Sequence, residues 1–159
     1  GYTYKEEVDF EKMRKELGEE YIILFRPHYF IANQFDFKKY EGFVYDVSKV
    51  DDVADLYIIS DILITDYSSV FFDFANLKRP MIFYMYDLEH YRDESNGFYI
   101  DVEEELPGKI VRTDDDLIKE IKRVSKEFKY DEKYKKFNEK YNYLDDGQAS
   151  KRVVEKIVK

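Results

Sequence analysis

The stretch DILITDYSSVFFDFANLKRP, residues 61–80, holds the succession of features that decides the fold. An apolar run ends at Asp66, two adjacent serines follow, and a second apolar segment with helical spacing leads into the sequence LKRP. This pattern predicts a buried strand over 62–66, a turn, and a helix over 69–77. A strand, a turn and a helix in this order form the repeating unit of α/β domains.

The same alternation extends in both directions from this stretch. We predict a short helix or turn over 87–95, and a short strand followed by an acidic turn over 97–106. Strands alternating with helices predict an α/β domain with a Rossmann-like, mostly parallel sheet, helices on both faces and extra C-terminal helices, all within one domain over 1–159. The remaining predicted strands are 21–25, 43–47, 81–85 and 109–113, and the remaining predicted helices are 9–17, 52–60, 114–128, 131–142 and a last one from 149.

The composition excludes several classes of function. The 159 residues include no Cys, which rules out disulfides and thiolate metal sites, and the two His alone make a metal cluster improbable, so no metal is predicted. The net charge of −9 argues against a nucleic-acid partner bound by broad phosphate neutralisation. The first ten residues lack the features of a signal peptide, and no apolar run approaches the roughly 20 residues that span a bilayer. We predict no cofactor.

The carboxyl ends of parallel strands meet at one edge of a sheet, and ligands of open α/β sheets bind at that edge. The sequence therefore predicts that polar residues following the strands lie close together. The candidate residues are 26–28 (Arg26 and His28 among them) after the first strand, Asp46, Val47 and Ser48 after the second, 65–69 (Thr65 to Ser69) after the third, and Tyr86 and Asp87 after the fourth.

Ser68 and Ser69 lie where the helix of the opening stretch is predicted to begin. The first N–H groups of a helix lack internal partners and favour negative charge, and two hydroxyls add further donors. This arrangement suits a phosphate or diphosphate. The alternative is that one serine only caps the helix.

Arg26 and His28 are two residues apart after a strand, so their side chains point to the same side of an extended segment. Arginine would hold a phosphate and histidine would move a proton near neutral pH. The alternative for His28 is an imidazole held by a backbone carbonyl.

Carboxylates near these residues have two interpretations each. Asp66 would either hold a ligand hydroxyl or cap the adjacent turn. Asp73 would pair with Arg79 or with a backbone group. Asp146 and Gly147 precede the last helix, where they would form a second anion site or a plain helix entry.

Six segments in order carry a resemblance to a known family: LFRPHY, FVYDVS, SDILITDYSSVFFDFANLKRP, YRDESNGFY, LPGKIV and DDGQASKRV. Together they resemble the C-terminal half of CDP-glycerol glycerophosphotransferases, the bacterial enzymes of teichoic acid synthesis. The resemblance covers nearly the whole chain, and TDYSS with FDFANLKRP is its most specific part.

The resemblance implies the C-terminal half of a GT-B fold, which holds the nucleotide donor. It implies that Ser68 and Ser69 bind the diphosphate of CDP-glycerol and that Arg26 helps to hold negative charge. It also implies that the loop at Asp46, Val47 and Ser48 contacts the cytidine through its backbone. His28 would be catalytic, as an acid/base or a phosphate-stabilising group.

The second histidine of the family and the wall for the lipid-linked glycerol phosphate acceptor belong to the N-terminal half. We therefore expect this chain to bind CDP-glycerol and its product CMP weakly and not to turn over. The full enzyme is expected at the cytoplasmic face of the membrane. Two alternatives stay open, another GT-B transferase using a nucleotide-activated sugar or polyol, and a flavodoxin-like or interaction module.

Overall fold

A computed structural model describes residues 8–27, 35–88 and 100–158 of the chain. Strands and helices alternate along these residues, as the sequence predicts. The strands are β1 (Ile23–Phe25), β2 (Val44–Asp46), β3 (Leu63–Thr65), β4 (Met81–Tyr84) and β5 (Lys109–Val111). The helices are α1 (Phe10–Leu17), α2 (Val53–Ile59), α3 (Val70–Phe74), α4 (Val102–Glu105), α5 (Asp114–Glu127), α6 (Glu132–Tyr141) and α7 (Ala149–Ile157), with 3₁₀ turns at Phe37–Tyr40 and Ala75–Leu77.

All strand pairs in the described part of the chain are parallel. β1 pairs with β2, with Ile23 opposite Val44. The second group has the order β3-β4-β5. Because the strands are parallel, their carboxyl ends lie at one edge within each group, which is where the sequence places the candidate residues.

Strand β4 explains why helices cover both faces of the sheet. All four of its residues are buried. Ile82 and Tyr84 belong to one apolar cluster, whereas Met81 and Phe83 belong to another, as the two-residue period of a strand requires. The first cluster includes residues of α1 and α5, and the second includes residues of α3, α4 and α6.

The ends of the helices follow local capping chemistry. Asp9 accepts a hydrogen bond from the Lys12 N–H at the start of α1. Thr113 accepts one from the Asp116 N–H at the start of α5. Such side-chain caps each contribute about 1 kcal/mol to stability.

Two segments differ from the sequence prediction. The helix predicted over 69–77 is α3 followed by a 3₁₀ turn, and it ends at Lys78, whose φ of 55° is left-handed. The acidic turn predicted within 97–106 contains the helix α4. Asp101 makes α4 possible because its carboxylate accepts hydrogen bonds from both the Glu103 and Glu104 N–H groups.

The last helix, α7, buries none of its residues. Among the described residues, no helix is both long and apolar enough to cross a bilayer.

Candidate functional site

The turn between β3 and α3 is the centre of the candidate site. Ser68 and Ser69 are both exposed at the carboxyl end of β3. Ser69 is the N-cap residue of α3, but its hydroxyl makes no capping hydrogen bond. The alternative in which this serine serves only as a side-chain cap is therefore not what the structure describes, and the hydroxyl is available to a ligand.

The backbone of this turn also presents donors. The first hydrogen bond at the start of α3 joins the Phe72 N–H to the Ser69 carbonyl at 3.1 Å. The N–H groups of Ser69, Val70 and Phe71 precede it and have no partner within the helix. Because α3 has only five residues, the hydroxyls and these local N–H groups matter more here than a long helix dipole.

Asp66 stabilises the same turn from its first residue. One carboxylate oxygen accepts the Ser68 N–H at 3.1 Å, so Asp66 has the turn-capping role that was one of its two interpretations. The carboxylate is exposed and keeps further lone pairs for a ligand hydroxyl.

Two side-chain amides of α6 fix the position of α3. Asn142 donates to the Phe72 carbonyl at 2.7 Å, and Asn138 donates to the Ala75 carbonyl at 3.0 Å. These bonds hold the helix that begins at the serine pair.

Arg26 lies at the end of β1 and is exposed. Its guanidinium donates to the Val50 carbonyl at 2.8 Å, which ties the end of β1 to the loop after β2. A guanidinium has five N–H donors, so this bond leaves others for an anion.

The loop after β2 is held by its own polar groups. Asp46 accepts the Ser48 N–H at 2.9 Å, and hydrogen bonds from the Ser48 hydroxyl and N–H keep the pKa of Asp46 below its usual value. The Val47 N–H donates to the Phe25 carbonyl at 3.1 Å, and the Val47 carbonyl accepts the Val50 N–H at 3.2 Å. Both backbone groups of Val47 therefore make hydrogen bonds within the fold, and only the carbonyl oxygen keeps a second lone pair for a ligand.

A contact that sequence reasoning missed lies beside the serines. The Tyr67 hydroxyl donates to the Asp87 carboxylate, across the ends of β3 and β4. Burial, followed by this hydrogen bond, raises the pKa of Tyr67 well above its usual range. The only sequence signal was that both residues follow predicted strands.

Asp146 and Gly147 lie before α7. The Asp146 carboxylate accepts the Gln148 N–H at 2.9 Å, and Nη1 of Arg152 donates to both of its oxygens at 2.7 and 2.8 Å. The hydrogen bond from Arg152 is the main cause that lowers the pKa of Asp146. Gly147 has a φ of 73°, the left-handed conformation that glycine permits. The local anion at this helix entry is thus Asp146 itself, and Asn76 donates to the adjacent Asp145 at 3.0 Å, which links this loop to the end of α3.

Two other predictions concern residues near the site. His28 lies outside the described residues, so its catalytic role stays a prediction. Arg79 donates to the carbonyls of Ile58 and Ser60 at 2.8 and 2.7 Å, so it closes the end of α2. Within 8–27, 35–88 and 100–158, no group of three or more His, Cys, Asp or Glu is arranged to hold a metal ion.

Comparisons with known proteins identify the family. The family described as CDP-Glycerol:Poly(glycerophosphate) glycerophosphotransferase matches residues 1–159. The chain is 47% identical over 159 residues to a teichoic acid poly(glycerol phosphate) polymerase of Bacillus subtilis, a match that covers 99% of this chain and 21% of the polymerase.

Solved structures give the same relationship. The wall teichoic acid polymerase TagF is 43% identical with a TM-score of 0.87, over 98% of this chain and 38% of that one. A TagF variant soaked with CDPG is 42% identical with a TM-score of 0.86, over 97% of this chain and 38% of that one. The chain spans well under half the length of these relatives, and it belongs to the CDP-glycerol:poly(glycerophosphate) glycerophosphotransferase family.

Proposed function

We propose that this chain is the donor-binding part of a longer glycerophosphotransferase, and that it holds CDP-glycerol for transfer of glycerol phosphate. The single observation that carries the proposal is the exposed pair Ser68 and Ser69, with an uncommitted Ser69 hydroxyl, at the carboxyl end of a parallel strand. Membership of the family and the TagF variant soaked with CDPG support CDP-glycerol as the donor.

The candidate residues divide into roles by chemistry. Ser68 and Ser69 bind the diphosphate through hydroxyls and turn N–H groups, and Arg26 adds a positive charge. Asp66 accepts a hydroxyl of the donor. The loop of Asp46 and Val47 contacts the cytidine through backbone carbonyls.

The loop before α7 has a secondary role in this proposal. Asp146 and Gly147 shape a second anion contact, with Arg152 as its cation, once a phosphate competes with Asp146 for the arginine. A guanidinium can bind either a carboxylate or a phosphate through its N–H donors.

The reaction is an in-line phosphoryl transfer. An acceptor glycerol hydroxyl attacks the β-phosphorus, a new O–P bond forms, the bond from that phosphorus to the bridging oxygen breaks, and CMP leaves with the electron pair. His28 receives the hydroxyl proton or stabilises the charge on the phosphoryl oxygens. Positioning and charge stabilisation supply most of the rate in such reactions, so no covalent intermediate is required.

The acceptor in this proposal is a lipid-linked glycerol phosphate chain held by another part of the longer enzyme. Such an acceptor would keep the full enzyme at the inner face of the cell membrane.

The experiment is a titration of the isotope-labelled 159-residue chain with CMP and CDP-glycerol, followed by NMR. We expect amide shifts that concentrate at Ser68, Ser69 and the residues flanking His28. Replacing both serines by alanine should weaken CMP binding about 10-fold or more, since each lost hydrogen bond to a charged group contributes about 1.5–3 kcal/mol.

The matched control is Ser125→Ala on α5, which removes a hydroxyl that donates to the Ile121 carbonyl at 2.7 Å, away from the strand ends. It should bind CMP like the unmodified chain. A response to UDP-sugars equal to that with CDP-glycerol would favour a different transferase, binding of FMN would favour a flavodoxin-like module, and no response to any nucleotide would refute donor binding.

A further inference from the structure

We propose that Tyr67 and Asp87 form a positioning pair that holds the Ser68–Ser69 turn in its ligand-binding shape. The inference deepens the proposed function and rests on it. Neither residue needs to touch the nucleotide, because they act through the serines that follow Tyr67 directly in the chain.

The pair connects two strand ends. The Tyr67 hydroxyl donates to Oδ1 of Asp87, and the backbone of Asp87 also contacts this hydroxyl. Tyr67 follows β3 by two residues and Asp87 follows β4 by three. Strands β3 and β4 pair in parallel, with Leu63 opposite Met81. The hydrogen bond between Tyr67 and Asp87 therefore connects the loops that follow these two strands, beyond their last paired residues.

The contact fixes the turn from one side. Tyr67 is half-buried against the second apolar cluster, whereas Ser68 and Ser69 are exposed. With its ring packed and its hydroxyl bound, Tyr67 has little freedom to rotate, and the backbone of the next residue is oriented by it. Asp66 holds the other side of the turn through the Ser68 N–H. Two side-chain hydrogen bonds therefore constrain the turn, one made by Asp66 and one made by Tyr67.

The Tyr67 hydroxyl stabilises the Ser68–Ser69 turn and contributes little to packing in the second apolar cluster. A phenylalanine at position 67 would pack against the cluster equally well, because only the hydroxyl reaches Asp87. A tyrosine hydroxyl is protonated at neutral pH, and the raised pKa of Tyr67 keeps it a donor to the carboxylate in alkaline solution as well. Tyr134 offers a contrast, because its hydroxyl donates to the Arg79 carbonyl at 2.9 Å in a fully buried position away from the serines.

The test compares four variants of the 159-residue chain by CMP affinity and thermal midpoint. Tyr67→Phe and Asp87→Ala should each weaken CMP binding about 3- to 10-fold, the effect of one lost hydrogen bond. The double variant should bind no more weakly than either single variant, because both changes remove the same contact. Asp87→Asn keeps an acceptor oxygen and should stay within about 2-fold of the unmodified chain.

A second measurement separates positioning from stability. In the ligand-free Tyr67→Phe chain, the amide resonances of Ser68 and Ser69 should shift. The control Tyr134→Phe should lower the thermal midpoint and leave CMP affinity unchanged.

Outcomes of the test are distinguishable. If the unmodified chain binds CMP and Tyr67→Phe binds it equally well, the positioning pair is refuted and donor binding stands. A double variant whose loss equals the product of the single losses also refutes the pair. If the unmodified chain does not bind CMP, the proposed function falls and this inference falls with it.

Discussion

The guanidinium of Arg26 donates a hydrogen bond to the Val50 carbonyl at 2.8 Å, and this contact joins the ends of two neighbouring parallel strands. Arg26 follows β1, and Val50 lies in the loop after β2. The sequence predicted Arg26 as an anion-binding residue; the structure gives it a loop-holding role as well. One side chain can do both, because a guanidinium offers five donors in a fixed plane.

We expect Arg26→Lys to weaken CMP binding by the chain about 3- to 10-fold, because an ammonium keeps the charge but cannot serve the carbonyl and a phosphate with the same planar fork. Titration by calorimetry or NMR measures the effect. The matched control is Arg14→Lys on α1, where Arg14 also donates to a backbone carbonyl, that of Lys39, at 3.5 Å. Equal CMP affinity for Arg26→Lys and the unmodified chain would mean that only the charge at position 26 matters.

Much of the fold could be predicted because the relevant signals are local. The apolar run before Asp66 predicts β3, and the helical spacing that follows the serines and stops at LKRP predicts the turn and α3. The structure confirms these elements within a few residues. The alternation of β4 between two clusters follows from strand geometry alone. For the same reason the candidate residues after each strand could be named in advance.

The missed features depend on contacts between distant segments or on backbone detail. Tyr67 and Asp87 are 20 residues apart, and Asp146 is paired with Arg152 across a helix entry; neither pairing has a periodic signal. The helix α4 was missed because an acidic run looks like a solvated turn, whereas the double cap by Asp101 nucleates a helix. The early end of α3 depends on the left-handed φ of Lys78, which no residue preference indicated.

His28 gives the prediction that bears most directly on catalysis. In the longer enzyme that we propose, His28→Ala should lower the rate of CMP release from CDP-glycerol about 10²- to 10⁴-fold, the usual contribution of a positioned acid or base. CMP affinity should change little, because in the proposed function the serine turn makes the main contacts to the phosphate. Steady-state turnover and a binding titration together check both parts.

The other histidine of the chain, His90, is the natural control. His90→Ala should retain turnover within about 2-fold, because His90 is not among the residues predicted to bind or react with the donor. Should His28→Ala retain most of the turnover, proton transfer and charge stabilisation would have to come from elsewhere in the enzyme.

Glu105 predicts how stability changes in acid. A hydrogen bond from Lys140, followed by one from Tyr141, lowers the pKa of Glu105 to about 2 from its usual value near 4.5. A carboxylate with a lowered pKa in the folded state stabilises the fold above its unfolded pKa, and this contribution is lost as the pH falls through the folded pKa. Glu105→Gln should therefore lower the thermal midpoint at pH 7 and flatten its dependence on pH between about 4.5 and 2.

The control for Glu105 is Glu104→Gln, an exposed position on the same helix, which removes one negative charge without removing the bonds to α6. Thermal midpoints of the two variants and the unmodified chain are compared at several values of pH from about 7 to about 2. Parallel curves for Glu105→Gln and the unmodified chain would contradict the assigned ion pair.

Gly108 predicts a sharp limit on the packing of β5 against β4. A Cβ at this position would lie 2.1 Å from the Met81 carbonyl oxygen and 3.0 Å from Cε2 of Phe83. The first contact is with the backbone at the start of β4, the central strand of its group, so β5 would have to move away from β4. We expect Gly108→Ala to destabilise the chain by about 3 kcal/mol or more, measured by urea unfolding.

Gly42→Ala separates this clash from the backbone cost of replacing a glycine. Gly42 has a φ of 82° and open space where a Cβ would lie, so alanine there pays only for a left-handed backbone. That cost is about 1–2 kcal/mol. If Gly108→Ala proves no more destabilising than Gly42→Ala, β5 does not approach Met81 as closely as the structure describes. A much larger loss of stability for Gly108→Ala than for Gly42→Ala would instead confirm that β5 lies this close to β4 only because position 108 has no side chain.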